Sequence, residues 1–550
     1  MLVTKLLFLF SIVVVAPGRR LKDDKDEDVD LSWPEEYHCE ARRMYLSANL
    51  IENFKIWRTE KKSRVDYNDG AVKSIIVPTK SRRSHGMRYY IFPKTTNYEE
   101  NEMACEKTKG SRGEPEEPVD LLPNTFENYV AVENDTIFGV PVTKFFAEKE
   151  EDGSKYKLTL WAKFDSDFDS WIPIKYDEEV YNSWFGYLDH HDIWEFYNYE
   201  KDFADDVFDV SSYDCVESGK TSLENEISFK HPNKNDHIDR VFNAYKEKHN
   251  KVYSNEKEHS IRKRIFQKNI RLVAARNRQN LGYKLSLNHF ADRTPEEMRK
   301  HTGLVRRQAR KPGNIPFPYD EAKVKSMSDS LPDEYDARLM GLVTYIKNQE
   351  DCGSCWTFAT TAVIEGAIAR NNGGKLVSLS NQALIDCAWG YGAAGCNGGS
   401  DDAAYEWIRD YGLPTEEEYG QYANRDGFCK IDNMTRTYTI KGFTDITPNS
   451  INAIKVALVN HGPITTSVHA SNEFSLYAGG VFYTSEADCP KSTNMLNHEV
   501  VIVGYGEENG DEFWIVKNSW GPTWGIDGYM HIAARDNVCG IETEPTYVIV

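Results

Sequence analysis

Cys352-Gly353-Ser354-Cys355-Trp356 opens the stretch Thr357-Phe358-Ala359-Thr360-Thr361-Ala362-Val363-Ile364-Glu365-Gly366-Ala367-Ile368-Ala369-Arg370. Its apolar residues recur at helical spacing, and Asn371-Asn372-Gly373-Gly374 supplies the stop. Cys355 therefore falls in the first turn of a predicted helix. Backbone N–H groups and the positive end of the dipole at that position favour the thiolate, the form that attacks carbonyls. Gln349 lies just upstream. Taken alone, the motif suits catalysis about as well as it suits a structural pair, a metal site or thiol exchange taken together.

Nucleophilic chemistry at a thiol needs an imidazole to hold the proton and an acceptor to orient that imidazole. Asn497-His498-Glu499-Val500-Val501-Ile502-Val503-Gly504-Tyr505-Gly506 supplies a histidine entering an apolar strand. Phe513-Trp514-Ile515-Val516-Lys517-Asn518-Ser519-Trp520-Gly521 supplies an asparagine at the end of the next. The polar turn Glu507-Glu508-Asn509-Gly510-Asp511 makes these adjacent antiparallel strands, so their ends can bring His498 and Asn518 together.

Cys355 with its distant His498 and Asn518 resembles the papain family, the lysosomal cathepsins included, whose signature is C-G-[SA]-C-[WY]. The resemblance implies Cys355 as nucleophile, His498 as acid and base, and Asn518 orienting His498. It implies Gln349 as an oxyanion donor beside the Cys355 N–H, and Trp520 as a shield over the His498 to Asn518 contact. It implies three disulfides, Cys352 with Cys396, Cys387 with Cys429, and Cys489 with Cys539. The fold class it implies is α+β: a two-lobe protease, one lobe helical and one a β-barrel, over residues 331–550. Cys396-Asn397-Gly398-Gly399 resembles the family segment whose backbone pairs with substrate, its glycines permitting close approach. Ser400 and Asp401 follow where relatives are often apolar, and Glu544 stands where the floor of the S2 pocket is expected. A roomy, acidic pocket accepting P2 Arg or Lys alongside apolar residues is the expectation.

Residues 236–302 form a basic, helical segment. Glu258, Arg262, Phe266, Asn269, Val273 and Asn277 share one face of a helix predicted over 256–280. That face resembles the interspersed motif of cathepsin L-type propeptides, and Asn288-His289-Phe290-Ala291-Asp292 resembles the second propeptide motif. Its implied partner is the chain's own protease domain, which it inhibits. A basic propeptide on an acidic protease predicts electrostatic docking at neutral pH, with release when carboxylates protonate. Residues 303–330, with Arg306-Arg307 and Arg310-Lys311-Pro312, read as an exposed processing linker cut shortly before Leu331.

At 550 residues the chain has room for more. Residues 1–18, with Lys5, the apolar run 6–15 and Ala16-Pro17-Gly18, read as a secretory signal, so the secretory pathway and then a lysosomal or extracellular location are expected. An acidic linker (19–32) follows, then a β-rich domain over 33–212 and a second linker over 213–235. In the β-rich part, runs at 53–57, 71–77, 88–92 and 156–161 alternate, with turns at Asn68-Asp69-Gly70 and Glu151-Asp152-Gly153-Ser154. An antiparallel, half-barrel domain is expected, its aromatic and acidic end (184–210) packing on another domain or staying partly solvated. His190-His191-Asp192 read as a solvent-facing loop, and neither a metal nor a cofactor is called for.

Among Cys39, Cys105 and Cys215 one must be unpaired or bridge to another chain, and the connectivity stays open. Asn134 and Asn433 head glycosylation sequons. The order of segments resembles extended cathepsin L-like proteinases such as the two-chain haemocyte proteinase of insects and counting-factor-associated proteins, which implies a β-domain retained after cleavage. Alternatives are a dipeptidyl exopeptidase with the β-domain as exclusion domain, and a binding protein whose β-domain carries the role. A net charge of −20, with the basic residues concentrated in a propeptide, argues against nucleic acid as partner, and no later run is long enough for a membrane span.

Overall fold

Alternation of buried and exposed side chains builds the first domain: Tyr37–Tyr45 and Leu50–Arg58 each bury every second residue for most of their length. The computed structural model describes residues 31–550 apart from 47–49, 80–84, 95–101, 113–114, 124–128, 152–153, 183–187, 218–234, 306–309 and 509. The secretory signal, nearly all of the acidic linker, most of the second linker and Arg306-Arg307 lie outside the described residues.

Twelve strands form one sheet: β1 (Tyr37–Tyr45), β2 (Leu50–Arg58), β3 (Ser63–Tyr67), β4 (Val72–Val77), β5 (Met87–Lys94), β6 (Glu102–Lys109), β7 (Val130–Ile137), β8 (Val140–Glu151), β9 (Ser154–Asp165), β10 (Ser170–Asn182), β11 (Leu188–Glu200) and β12 (Cys215–Glu217). Their order is β12-β6-β5-β4-β3-β2-β1-β11-β10-β9-β8-β7. The pairings are antiparallel except for β12 on β6. A core of Tyr37, Phe54, Ile56, Phe145, Leu160, Trp194 and Phe196 fills one face.

One expectation for this domain is corrected and one open question is resolved. His190-His191-Asp192 is a strand segment of β11, between β1 and β10, and His190 and Asp192 are buried rather than solvent-facing, because β11 runs through the middle of the sheet. Cys105 and Cys215, side by side on β6 and β12, form a disulfide, which leaves Cys39 as a free, buried thiol. Asn134 and Asn433 are both exposed.

The propeptide begins with two helices, α1 (Asn235–Lys248) and α2 (Glu256–Arg278), followed by β13 (Tyr283–Leu285) and one short helical turn at Pro295–Met298. Asn255 caps α2 by accepting from the Glu258 N–H, worth about 1 kcal/mol. Phe266 and Val273 of the predicted face are buried, while Arg262 and Glu297 form an ion pair. Asn277 holds Leu285 by both its N–H and its C=O, at 2.8 Å each. Asp292 collects the hydroxyls of Tyr245 and Tyr253 and the ammonium of Lys251 at 2.7 to 2.8 Å. The predicted face thus packs through some side chains and bonds backbone through others.

The protease contributes the helix α3 (Cys355–Asn371), buried from Cys355 to Ala369, and a second sheet. Its strands are β14 (Tyr335–Asp336), β15 (Gly442–Asp445), β16 (Ile464–Val468), β17 (Tyr477–Phe482), β18 (His498–Glu508), β19 (Asp511–Lys517), β20 (Tyr529–Ala533) and β21 (Thr546–Ile549). Propeptide strand β13 joins the edge of this sheet by pairing with β17. Glu473 of the protease then accepts from Arg276 at 2.8 Å and from Tyr283 at 2.9 Å.

Candidate active site

Cys355 stands at the first position of α3, fully buried. His498 begins β18, and Asn518 follows the last residue of β19, the strand paired with β18. The hairpin between them brings His498 Nε2 within 2.8 Å of Asn518 Oδ1. The backbone N–H of Ser519 also donates to that oxygen, at 2.8 Å, which fixes the amide so that its oxygen faces the ring. An oxygen can only accept, so Nε2 carries the proton and Nδ1, which has no hydrogen-bond partner, is the basic nitrogen. Trp520 stacks over the imidazole with centroids 4.7 Å apart.

Gln349 is held by three contacts: its N–H donates to Ser519 O at 2.8 Å, its Oε1 accepts from Ser519 Oγ at 2.7 Å, and its C=O accepts from Tyr422 at 2.7 Å. Nε2 is thereby turned outward, 3.0 Å from Cys352 O and 3.4 Å from Lys300 O of the propeptide. Sequence reasoning missed Ser519 and Tyr422, which lack any motif of their own. The disulfides Cys352–Cys396, Cys387–Cys429 and Cys489–Cys539 are present, the first tying the residues just before Cys355 to the Gly398-Gly399 segment.

The propeptide crosses this site on its way to the mature chain. Gly399 N–H donates to Gly303 O at 3.1 Å and Val305 N–H to Gly399 O at 3.0 Å, with Leu304 and Gly399 paired in parallel. A Cβ on Gly303 would lie 2.0 Å from Gly353 O, and one on Gly399 would meet the Trp356 ring at 2.7 Å, so both positions need glycine for this approach. Trp520 Nε1 donates to His301 O at 3.1 Å.

Covering the site changes its electrostatics. Burial pushes the Cys355 thiol up to about 12, with the Glu499 charge adding to it and backbone N–H groups of Glu499, Gly303 and Trp356 opposing. Burial likewise takes His498 down to about 4, the Asn518 contact opposing and His301 assisting. Both groups are therefore neutral at neutral pH. The thiolate expected from the helix terminus is not the form present in this covered state, because desolvation outweighs the dipole.

The 303–330 segment is largely exposed beyond Arg310, as a linker should be, but it is anchored to the protease at Arg310 to Gly313, which was not expected. Arg310 sits among acids, 2.8 Å from Asp445 and 3.7 Å from Asp401, with Glu544 adding its charge, and its guanidinium is held firmly protonated. Lys311 pairs with Glu406 and its N–H donates to Asp402, while Gly313 N–H donates to Asp445. Opposite charges along the protease wall pull the segment down. Beyond this anchor most residues from Pro312 to Glu334 are exposed, with Val324 buried among them. Glu544 is half-buried, Ser400 is buried with its hydroxyl on Asp402 at 2.6 Å, and Asp445 was not foreseen.

A thiol at a helix terminus, an imidazole with a fixed tautomer and an inhibitory segment laid across both define the proform of a cysteine peptidase. Residues 331–549 match the papain family cysteine protease and residues 242–298 the cathepsin propeptide inhibitor domain. The cathepsin L-like peptidase of Aedes aegypti is 39% identical over 319 residues, covering 56% of this chain and 92% of that protein. Procathepsin L of Rattus norvegicus is 37% identical over 328 residues, covering 57% and 94%. The solved digestive procathepsin L2 proteinase from the larval midgut of Tenebrio molitor superposes with a TM-score of 0.52 at 33% identity, covering 57% of this chain and all of that one. The chain belongs to the papain family of cysteine proteases, as a cathepsin L-like zymogen with a further β-rich domain in front.

Proposed function

We propose that the chain is the zymogen of a secretory-pathway endopeptidase, lysosomal or extracellular once delivered, in which Cys355 Sγ attacks the scissile carbonyl. When the propeptide leaves, water re-enters and the ion pair becomes accessible: the thiol proton passes to His498 Nδ1 while Nε2 stays on Asn518. The tetrahedral oxyanion accepts from Gln349 Nε2 and from the Cys355 N–H. The imidazolium then protonates the leaving amine, and water hydrolyses the acyl-enzyme by the same route in reverse. The observation that carries this is the contact of 2.8 Å between His498 and Asn518 beside a thiol that residues 300–305 cover. Four disulfides suit an oxidising compartment. Among the described residues no helix is long and apolar enough to cross a membrane.

The endopeptidase reading is favoured over an exclusion domain by where the β-domain reaches: Glu52, His190 and Ser154 contact α2, not the Gly399 strand. Hydrolysis of internally quenched peptides with blocked N-termini is the expected result. Cleavage restricted to free N-termini would overturn it.

Arg310 in its acidic pocket supports acceptance of P2 Arg or Lys. Glu544→Ala is expected to lower kcat/KM about tenfold for P2 Arg peptides, the scale of one charge-assisted contact, and to leave P2 Leu peptides unchanged. Equal effects on both series would remove Glu544 from the specificity.

Acid release has a histidine contribution beside that of the carboxylates that charge suggested. Asp351, beside His301 and Arg293, is held at about 2, so its contribution to closure is lost only as pH falls from about 4 toward 2. His289 is the opposite case: burial, then Lys251 and neighbouring His301, His249 and Arg293, lower it to about 3. A histidine kept neutral when closed and freed on release stabilises closure above its ordinary value near 6.5, and that contribution fades as pH falls below it. The propeptide's inhibition constant is expected to rise roughly tenfold from this one group by about pH 5, allowing for partial exposure. His289→Gln should flatten that rise, and an unaltered profile would exclude it.

A further inference from the structure

Arg264, Arg271 and Arg278 recur every seventh residue on α2, two turns or about 10 Å apart along one side. That stripe is distinct from the Phe266, Asn269 and Val273 face, and each arginine ends on a different strand of the β-domain. Arg278 donates to Glu52 Oε1 on β2 through Nε at 3.0 Å and Nη2 at 2.5 Å. Arg271 Nη1 lies 2.8 Å from His190 Nδ1 on β11. Arg264 Nη1 donates to Ser154 Oγ on β9 at 3.3 Å.

The receiving surface is built for cations. Arg271, Arg278, Glu52, His190 and Asp192 are all buried. Arg43 donates to Asp192 at 2.9 and 2.6 Å and lies 3.8 Å from Glu52, so the two carboxylates are pre-oriented by the β-domain's own arginine. Tyr67 lies under the Arg278 guanidinium at 4.9 Å. Tyr45 and Leu50 continue the contact into the apolar cluster that holds Ile270 and Val273. A solvated surface arginine would need none of this, and a guanidinium fork held on a buried carboxylate is a recognition contact.

We propose that the β-domain is an outer clasp on the inhibitory propeptide, its Glu52, His190 and Ser154 reading the arginine stripe of α2, so that α2 is gripped between β-domain and protease and its release is slowed. The other side of α2 already holds the protease through Arg276 on Glu473 and Asn269, whose Oδ1 accepts from Asn472 at 3.0 Å. Leaving the site therefore requires breaking two polar seams. Truncating one partner of such a buried pair leaves the other charge uncompensated.

The clasp rests on the zymogen reading above. The test uses the full-length chain, diluted so that release rather than cleavage between molecules sets the lag, with hydrolysis of a blocked Phe-Arg fluorogenic dipeptide followed at mildly acidic pH. Arg271→Gln with Arg278→Gln is expected to shorten the lag at least tenfold and to leave the kcat/KM of the released mature enzyme unchanged. If that double variant fails to fold, Glu52→Gln, which keeps the acceptor shape and loses the charge, is expected to shorten the lag severalfold. Hydrogen exchange across 256–278 in the intact zymogens should rise in the same variants. Lags and exchange equal to the wild type would overturn the clasp. Absence of any hydrolysis in the wild type would instead strike the catalytic reading.

Discussion

A Cys355→Ala zymogen will fold, keep its full length and lose about ten-thousand-fold or more of its peptide hydrolysis, the scale lost when the nucleophile of such a site is removed. Folding should survive because the change removes one sulfur from a position at the start of α3, leaving the helix and the Cys352–Cys396 bridge in place. Alanine is also a better helix former than cysteine. Catalysis should not survive, because Gln349 and the backbone N–H can still bind a polarised carbonyl but no atom is left to attack it. Thermal unfolding and the electrophoretic pattern over time at acidic pH check both halves. Slow appearance of a mature chain from purified Cys355→Ala protein, with no other protease present, would exclude Cys355 as the nucleophile for self-processing.

The catalytic side chains were legible because their chemistry forces a local signature: a thiol at a helix start, a histidine and an asparagine at the mouths of two adjacent strands. His498 and Asn518 meet through a hairpin of only about twenty residues, the kind of contact periodicity can place. What was not legible depends on long-range side-chain geometry. Ser519 and Tyr422 orient Gln349, yet a serine or tyrosine near a motif carries no signal of which way it points. Arg310 looked like part of a processing site, since the acids that bury it, Asp401 and Asp445, lie far along the chain. The arginine stripe was hidden in the same way: arginines on a helix are normally solvated, and Glu52 is 226 residues from Arg278. The β-domain's strands were readable from alternation, but β11 was not placed, because its aromatic and acidic residues obscure the period until Trp194 and Phe196 are seen facing the core.

The propeptide's own stability turns on Asp292, and Asp292→Ala is expected to make the zymogen active at neutral pH. This carboxylate is nearly solvent-free at 1% exposure, and it accepts from Tyr245, Tyr253 and Lys251 at once. Tyr245 belongs to α1, Tyr253 and Lys251 to the link before α2, and Asp292 to the segment that approaches the active site. One side chain therefore joins the start of the inhibitor to its business end. Burial already lowers the Lys251 pKa, and only Asp292 among its first-named influences raises it. Removing the carboxylate leaves the two hydroxyls without their acceptor and the Lys251 ammonium with only the His289 carbonyl, a loss of about 3 to 5 kcal/mol by analogy with broken buried pairs. Spent on a segment of this size, that loss is enough to unfold it while the disulfide-bonded protease stays intact. Asp292→Asn, which can still accept from one tyrosine but carries no charge, should fall between. Comparing hydrolysis at neutral pH before and after acid treatment measures the leak directly: a variant as silent as the wild type before acid would mean that Asp292 does not hold the inhibitor together. Because Lys251 sits beside His289, the same variant should also lose much of the acid dependence of release, since a propeptide already loosened no longer keeps that histidine neutral.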